Sequence, residues 1–229
     1  SISAERGNIF DRNNDALTRN IAHYTISVNP SKVIDKTILA KELQNITGKP
    51  FDYYIKKLNS KRSFEFLERN IKNNIFENKQ LTSIKGISLN KHYRRAYPHG
   101  SIAGQLLGYT DTDDNGISGI EKDYDKFLSG KPGQVIKSRG WKGKYQSRSG
   151  LPYKPAINGN DIKLTIDLNF QSILQEELQR RIDESNARGA MGILMNPQNG
   201  NILAMASLPD FDLNNPNIFP LENQKNKII

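Results

Sequence analysis

Glycine is concentrated in one stretch of this chain. Ten of the 17 glycines lie between positions 100 and 150, at 100, 104, 108, 116, 119, 130, 133, 140, 143 and 150. Glycine adopts left-handed backbone conformations without steric cost and lets two backbones touch, so this spacing predicts a series of tight turns and close backbone contacts. Only short elements fit between them. We expect one helix at 120–128 and one hairpin, with its first strand at 135–137 and its turn at 140–143.

The C-terminal part predicts a strand, a helix and a hairpin in that order. Residues 161–166 alternate polar and apolar side chains as a strand does, and Asp167 can cap a helix. The apolar stripe of that helix is expected to be Leu168, Ile173, Leu174, Leu178 and Ile182. Two apolar strands at 190–195 and 202–206 flank a turn with an Asn-Gly pair. The Pro- and Asn-rich tail at 208–229 is not expected to close a core.

The N-terminal part predicts extended segments around a small mixed lobe. We expect a hairpin at 9–17, with its turn at an Asn-Asn-Asp cluster, and a strand at 23–28. In the lobe, at 33–90, one helix should begin after Asp35 and end at Gly48, and a second should begin after Pro50. A third is expected around Ile71, Ile75 and Phe76, with strands at 63–67 and 86–89.

These elements predict an α+β fold with two domains. A change in composition at 149–155, rich in Gly and Pro, marks the expected boundary. The first domain, 1–150, is a β-rich extended domain that carries the lobe at 33–90. The second, 151–229, begins with the strand, helix and hairpin described above.

Composition excludes several classes of function. The chain has no Cys among its 229 residues, which excludes disulfides, thiolate catalysis and Cys-ligated zinc. No run reaches the roughly 18 apolar residues that span a bilayer. The net charge of +9 has two explanations: a general excess of Lys, Asn and Ile in the composition, which we favour, or an anionic partner such as nucleic acid, lipid or an acidic polymer.

Two motifs that carry chemistry elsewhere fail here, one because of its spacing and the other because it lies in a predicted strand. Residues 111–116 resemble the first half of a calcium loop, but the position of the closing carboxylate is occupied by Lys122. Ser88 and Lys91 match S-x-x-K in a predicted strand, where side chains three apart point to opposite faces. The three histidines, His23, His92 and His99, have no metal-ligand spacing. We expect no metal site and no cofactor.

Three segments resemble the signature of class B penicillin-binding proteins. Residues 6–17 are similar to R-G-x-I-x-D-R-N-G-x-x-L-A, and residues 95–109 to R-x-Y-P-x-G followed by L-G-Y. Residues 116–133 resemble G-x-x-G-[IL]-E-x-x-[YF]-[DE]-x-x-L-x-G-x-x-G. The residues that carry the resemblance are Arg6, Gly7, Asp11, Arg12, Arg95, Tyr97, Pro98, Gly100, Gly108, Gly116, Gly119, Glu121, Gly130 and Gly133. The hairpin at 192–209 resembles the start of the family's transpeptidase domain.

The resemblance implies a fold and an activity. It implies a dimerisation or pedestal domain followed by the first part of a transpeptidase fold of the serine β-lactamase type. It implies a peptidoglycan D,D-transpeptidase that cross-links stem peptides during septal wall synthesis and is acylated by β-lactams. The family's S-x-x-K, S-x-N and K-T-G elements are expected downstream of Ile229, so no catalytic residue is assigned and this chain alone is expected to be inactive. The alternatives are an elongation-type member of the family or a pure protein-interaction module.

The resemblance also implies partners and a location. We expect membrane proteins of the division machinery and a glycosyltransferase partner, and no nucleic acid, and the choice between monomer and homodimer stays open. The expected location is the periplasmic side of the bacterial inner membrane, with a single-pass anchor outside this sequence. Among the signature residues, Arg6, Asp11, Arg12, Arg95 and Glu121 are charged. We expect these five to form a partly buried ion-pair network that locks the early strands to the helix of Glu121.

Overall fold

The structure is a computed structural model that describes residues 2–72, 84–135, 138–139, 145–146 and 153–228. The chain forms two compact units, one from Ser1–Asn20 and Arg94–Ile229 and the other from Ile21–Tyr93. Helices and several small sheets make the fold α+β, as predicted. The predicted domain boundary at 150 lies outside the described residues and stays a prediction.

The Ile21–Tyr93 unit contains most of a three-stranded sheet and two helices. The strands are β2 (Arg19–Val28), β3 (Glu65–Lys72) and β4 (Ile87–Ala96), in the order β3-β2-β4, and β2 and β3 are antiparallel. The helices are α1 (Lys36–Thr47) and α2 (Phe51–Leu58). Its core is apolar and contains, among others, Ile26, Leu39, Leu43, Tyr54, Leu58 and Leu67.

Residues at the helix ends determine where the two helices of this unit begin and where α1 ends. The Asp35 carboxylate accepts a hydrogen bond from the Ile38 amide at 2.9 Å, and Gly48 ends α1 in the left-handed conformation with φ of 73°. Helix α2 begins directly after Pro50. Both predictions are confirmed. The predicted third helix is wrong at Ile71, which lies in β3 because its side chain fills the core, while Ile75 and Phe76 lie outside the described residues.

The other unit begins with a short strand that pairs across a long sequence separation. Strand β1 (Ile9–Phe10) is parallel to β9 (Ile162–Lys163), with Ile9 opposite Ile162. The predicted hairpin at 9–17 is reduced to a tight turn closed by one bridge between Phe10 and Ala16. Asp11 holds the turn, because its carboxylate accepts hydrogen bonds from two backbone amides within it. These amides are therefore not available for strand pairing.

The glycine-rich segment forms short elements, as its spacing predicts. They are α3 (Gly104–Leu107), α4 (Gly119–Asp123), α5 (Asp125–Leu128) and four two-residue strands: β5 (Gln134–Val135), β6 (Ser138–Arg139), β7 (Tyr145–Gln146) and β8 (Tyr153–Lys154). The single helix expected at 120–128 is two helices that meet at Tyr124. Strands β6 and β7 are antiparallel. The expected first hairpin strand at 135–137 is wrong at Val135, which lies in β5 and pairs with Tyr153 of β8, while residues 136–137 and the turn at 140–143 lie outside the described residues.

The C-terminal elements follow the predicted order, although the strand expected at 161–166 is only the two-residue β9. They are α6 (Leu168–Ser185), the antiparallel pair β10 (Ala190–Met195) and β11 (Ile202–Leu208), and the short α7 (Leu221–Gln224). The predicted apolar stripe of α6 is wrong in part, because Ile173 is 56% exposed while Gln171 and Gln175 are buried. Leu174 and Leu178 pack where Gly192 of β10 leaves room for them.

The tail after residue 208 does enter a core, contrary to expectation. Phe211 and Leu213 are buried with Ile9, Leu17 and Tyr97, so residues from both ends of the sequence share one apolar cluster. Only one polar residue separates Phe211 from Leu213. A pattern of three residues is too short to identify a buried segment from sequence.

Candidate functional site

The signature residues converge on one buried carboxylate, that of Glu121. Its side chain is fully buried in the first turn of α4, and each of its two oxygens accepts a hydrogen bond from a different arginine. Oε2 accepts from Nε of Arg6 and Oε1 from Nε of Arg95, both at 2.7 Å. We call Arg6, Arg95 and Glu121 the arginine–glutamate cluster. It ties three segments that are far apart in sequence.

Arg6 is the most heavily bonded member of the arginine–glutamate cluster. In addition to Glu121 Oε2, its guanidinium donates to the Glu121 carbonyl at 2.8 Å, the Asp114 carbonyl at 3.0 Å and the Asp125 carboxylate at 2.7 Å. Burial opposes the charge on Arg6, but the Glu121 and Asp125 carboxylates outweigh it and raise the pKa of the guanidinium. The arginine is therefore charged and fixed, and it orients α4, α5 and the turn before them.

Two polar atoms beside the arginine–glutamate cluster are buried with no hydrogen-bond partner among the described residues. They are Nη2 of Arg95 and Oδ1 of Asp114. Burial raises the pKa of Asp114 to about 6, an effect that Arg6 and Arg95 oppose and that Glu121 and Asp125 reinforce. The Asp114 carboxyl therefore takes up its proton at a higher pH than an exposed aspartate does.

Asp11 and Arg12 lie outside the arginine–glutamate cluster. Asp11 is buried, and its carboxylate accepts hydrogen bonds from the amides of Asn13 at 2.6 Å and Asp15 at 2.8 Å and from the first amide of α6, Leu168, at 3.2 Å. The side chain of Arg12 is exposed, and its backbone amide donates to the Ile166 carbonyl. The expected five-residue network therefore contains three of the five residues, and Asp11 instead anchors the start of a distant helix.

Close backbone contact explains several signature glycines. A Cβ on Gly7 would lie 1.9 Å from the Asn160 carbonyl oxygen, and a Cβ on Gly116 would lie 2.0 Å from that of Glu121. Gly116 also donates its amide to Asp125. The remaining glycines of the set fall into two groups: those with left-handed backbone, Gly100, Gly108 and Gly119, and those in close contact with neighbouring segments, Gly130 and Gly133.

Tyr97 links the middle signature segment to the C-terminal tail. Its amide donates to Oδ1 of Asn214 at 3.0 Å and its carbonyl accepts from Nδ2 of Asn214 at 2.9 Å. Its hydroxyl accepts from the Thr110 amide at 3.1 Å, and burial raises its pKa. Pro98, the next residue, is exposed in the turn that leads to Gly100.

A set of buried glutamines was missed by sequence reasoning. Gln171 of α6 exchanges two hydrogen bonds with the backbone of Met205 in β11, at 2.8 and 2.9 Å. Gln175 accepts from Gln171 and from the Ala103 amide that precedes α3. Gln105 donates to two carbonyls of the C-terminal segment at 2.8 Å. The i, i+4 spacing of Gln171 and Gln175 was the available signal, but polar residues at that spacing are normally on an exposed face.

The rejected motifs remain without a chemical role. Ser88 and Lys91 lie in β4, where they are on a strand as expected. The Asp111 carboxylate accepts hydrogen bonds from the amides of Asp113 and Asn115, so its turn is held by its own backbone. Within the described part of the chain, no three His, Asp or Glu side chains are grouped to hold a metal ion. Likewise, no described helix is both long and apolar enough to cross a bilayer.

The arginine–glutamate cluster suits a mechanical task. Its side chains are 0–1% exposed and its carboxylate is saturated by two arginines, so the Glu121 carboxylate is closed to a ligand from solution. Breaking a buried pair of this kind costs about 3–5 kcal/mol, because an unpaired charge is left behind. The arrangement can therefore hold the N-terminal segment, the strand end at Arg95 and the two short helices as one rigid body.

Comparison with known proteins identifies the family. The model of the penicillin-binding protein dimerisation domain matches residues 1–164. Stage V sporulation protein D of Bacillus subtilis is 33% identical over 91% of this chain and 33% of its own length. Peptidoglycan D,D-transpeptidase FtsI is 29% identical in Escherichia coli, over 100% of this chain and 40% of the relative. The FtsI protein of Buchnera aphidicola (strain Bp) is 32% identical, over 92% of this chain and 38% of the relative. The chain thus spans about a third to two fifths of these relatives.

Solved structures share the fold. Penicillin-binding protein 2X from Streptococcus thermophilus superposes with a TM-score of 0.75 at 21% identity, covering 94% of this chain and 36% of that one. Penicillin-binding protein PBP2 from Helicobacter pylori, solved as a complex with MreC, superposes with a TM-score of 0.67 at 23% identity. The match covers 93% of this chain and 43% of that one. The chain therefore belongs to the class B penicillin-binding proteins, with relatives of the septal type, and carries their dimerisation domain over residues 1–164.

Proposed function

We propose that this chain is the positioning part of a peptidoglycan D,D-transpeptidase that cross-links stem peptides during septal wall synthesis. The observation that carries the proposal is the match of residues 1–164 to the dimerisation domain, together with relatives named D,D-transpeptidase that align with the whole chain. The buried arginine–glutamate cluster supports it, because a part that holds a catalytic domain in place requires rigidity. The proposed location is the periplasmic side of the inner membrane.

The chemistry of the proposed enzyme is acyl transfer. A serine attacks the carbonyl of a D-Ala-D-Ala stem peptide, D-Ala leaves, and the amine of a second stem peptide takes the acyl group; a β-lactam acylates the same serine. The present sequence contains no K-T-G. Labelling with a fluorescent penicillin tests the proposal. We expect the full-length gene product to be labelled covalently and the 229-residue chain to remain unlabelled; a full-length product that is folded and unlabelled would overturn the assignment.

The type of enzyme and its partners belong to the same proposal. We infer the division type because FtsI proteins are prominent among the relatives. A fluorescent fusion of the full-length product should collect at the division site, and an even distribution along the side wall would instead identify the elongation type. Docking of membrane proteins of the division machinery is proposed for the Ile21–Tyr93 unit, by analogy with the Helicobacter pylori protein that was solved with MreC.

A further inference from the structure

The positive charge of the chain is concentrated in one unit. Ile21–Tyr93 contains 13 Lys and Arg against 6 Asp and Glu, a net charge of +7, whereas the rest of the chain has 20 against 18. The explanation favoured from composition alone, a general excess of lysine, predicts an even distribution. The uneven distribution of charge between the two units therefore indicates a local cause, which lies on the surface of the Ile21–Tyr93 unit.

The exposed cations are densest where α2 ends. Residues 56–62 contain four cations and no carboxylate, and Lys56, Lys61 and Arg62 are exposed, with Arg62 3.5 Å from the carboxylate of Glu65. The fourth, Lys57, is turned inward, where its ammonium donates to the carbonyls of Phe66 and Leu67. Nζ of Lys36, at the start of α1, donates to Oδ1 of Asn59 at 3.4 Å, which places the α1 terminus beside this segment.

Exposed apolar side chains lie next to these cations in the sequence, with Ile34 and Ile38 on either side of Lys36 and Phe64 two positions after Arg62. Ile34 is 90% exposed, Ile38 is 55% exposed and Phe64 is 51% exposed. We call Ile34, Lys36, Ile38, Lys56, Lys61, Arg62 and Phe64 the basic corner. Large apolar residues among lysines and arginines are the composition of surfaces that lie on a membrane interface, where the cations meet anionic headgroups and the apolar side chains enter the acyl boundary.

We propose that the basic corner binds the surface of an anionic lipid bilayer. The kind of cation favours a lipid surface over an acidic peptide. Eleven of the 13 cations of this unit are lysines, which act as flexible point charges, whereas recognition of a carboxylate in a protein partner favours the fixed fork of arginine. A fluid layer of headgroups requires only a local positive potential and a few apolar anchors.

Co-sedimentation with vesicles tests the proposal on the 229-residue chain. The probe is vesicles of phosphatidylcholine and phosphatidylglycerol at 4:1, with pure phosphatidylcholine as the neutral arm, in 0.15 M salt. Each cation near an anionic surface contributes about 1 kcal/mol, or about fivefold in partitioning. The triple variant Lys56→Glu, Lys61→Glu, Arg62→Glu should therefore lose at least tenfold in binding, and Phe64→Ser should lose several-fold with little dependence on salt.

A variant with the same change in net charge serves as the matched control. Lys122→Glu, Lys126→Glu, Lys131→Glu reverses three exposed cations of the other unit and should change binding by less than about twofold. Equal losses in the two triple variants, or no preference for the anionic vesicles, would overturn the proposal. Binding of polyglutamate or DNA with the same sensitivity to the first triple variant, and none to vesicles, would assign the corner to another polyanion. These results do not depend on the penicillin-labelling test.

Discussion

Glu121→Gln is the sharpest single test of the arginine–glutamate cluster. The substitution preserves the shape of the side chain and removes its charge. Each Glu121 oxygen now accepts a hydrogen bond from one arginine Nε at 2.7 Å. Glutamine has one acceptor oxygen and one NH₂ group, so its NH₂ would face the Nε–H of Arg6 or Arg95, donor against donor.

The burial of the cluster determines the size of the effect. The side chains of Arg6 and Glu121 are 0% exposed and that of Arg95 is 1% exposed, so water cannot replace the lost carboxylate. Removal of one partner from a buried pair costs about 3–5 kcal/mol. For a chain of this size, each kcal/mol lowers Tm by about 2–4 °C. We therefore expect Tm to fall by roughly 6–20 °C.

Calorimetry of the purified chain measures this change, because it records a separate transition for each unit if the two unfold independently. The matched control is Glu177→Gln, which removes an ion pair with Arg180 whose two side chains are each 54% exposed. Exposed pairs contribute less than about 1 kcal/mol. An unchanged Tm for Glu121→Gln, or a fall no larger than that of the control, would refute the locking role of the cluster.

Asp114, Gly116 and Gln105 give three further predictions. Because the folded-state pKa of Asp114 is raised from 3.8 to about 6, its contribution to stability is full below about pH 4 and is lost as the pH rises through 6. Asp114→Asn, which imitates the protonated form, should match wild type at pH 4 and exceed it by about 2–3 kcal/mol above pH 7 in urea titrations; a pH-independent difference would contradict this. Gly116→Ala should cost about 3 kcal/mol or more because its Cβ would lie 2.0 Å from a carbonyl oxygen, whereas Gly200→Ala, with free space and φ of 74°, should cost about 1 kcal/mol; similar losses would exclude the contact as the cause. Gln105→Ala should cost about 2–3 kcal/mol in the same titration, since it leaves the buried Ser207 carbonyl and the partly buried Asn223 carbonyl without their donor, and a loss below 1 kcal/mol would show that these bonds are dispensable.

Features decided by local chemistry were predicted from the sequence. Asp35 and Gly48 set the two ends of α1, because a carboxylate cap and a left-handed glycine each act within one helical turn. The hairpin of β10 and β11 followed from two apolar strands that flank an Asn-Gly turn. The convergence of Arg6, Arg95 and Glu121 was also anticipated, since charged residues inside three signature segments suggested mutual pairing.

Features decided by tertiary context were not predicted. Ile71 has the spacing of a helical residue but lies in β3 because it completes a core. Gln171 and Gln175 are buried because their side-chain amides form hydrogen bonds with backbone groups of β11 and of the residue before α3. Those partners are more than 30 residues away in the sequence. Asp11 anchors the start of α6 across 157 positions. No short pattern encodes such pairings.

Under the proposed function, this chain positions a catalytic domain and takes no part in its chemistry. The most direct test of that claim is Glu121→Gln in the full-length gene product, held at a temperature below the Tm of the variant. Two rates are compared: acylation by a labelled β-lactam and cross-linking of septal peptidoglycan in cells that depend on the variant. We predict an acylation rate equal to that of wild type with a loss of septal cross-linking. Loss of both rates in a folded variant, or retention of both, would contradict the claim.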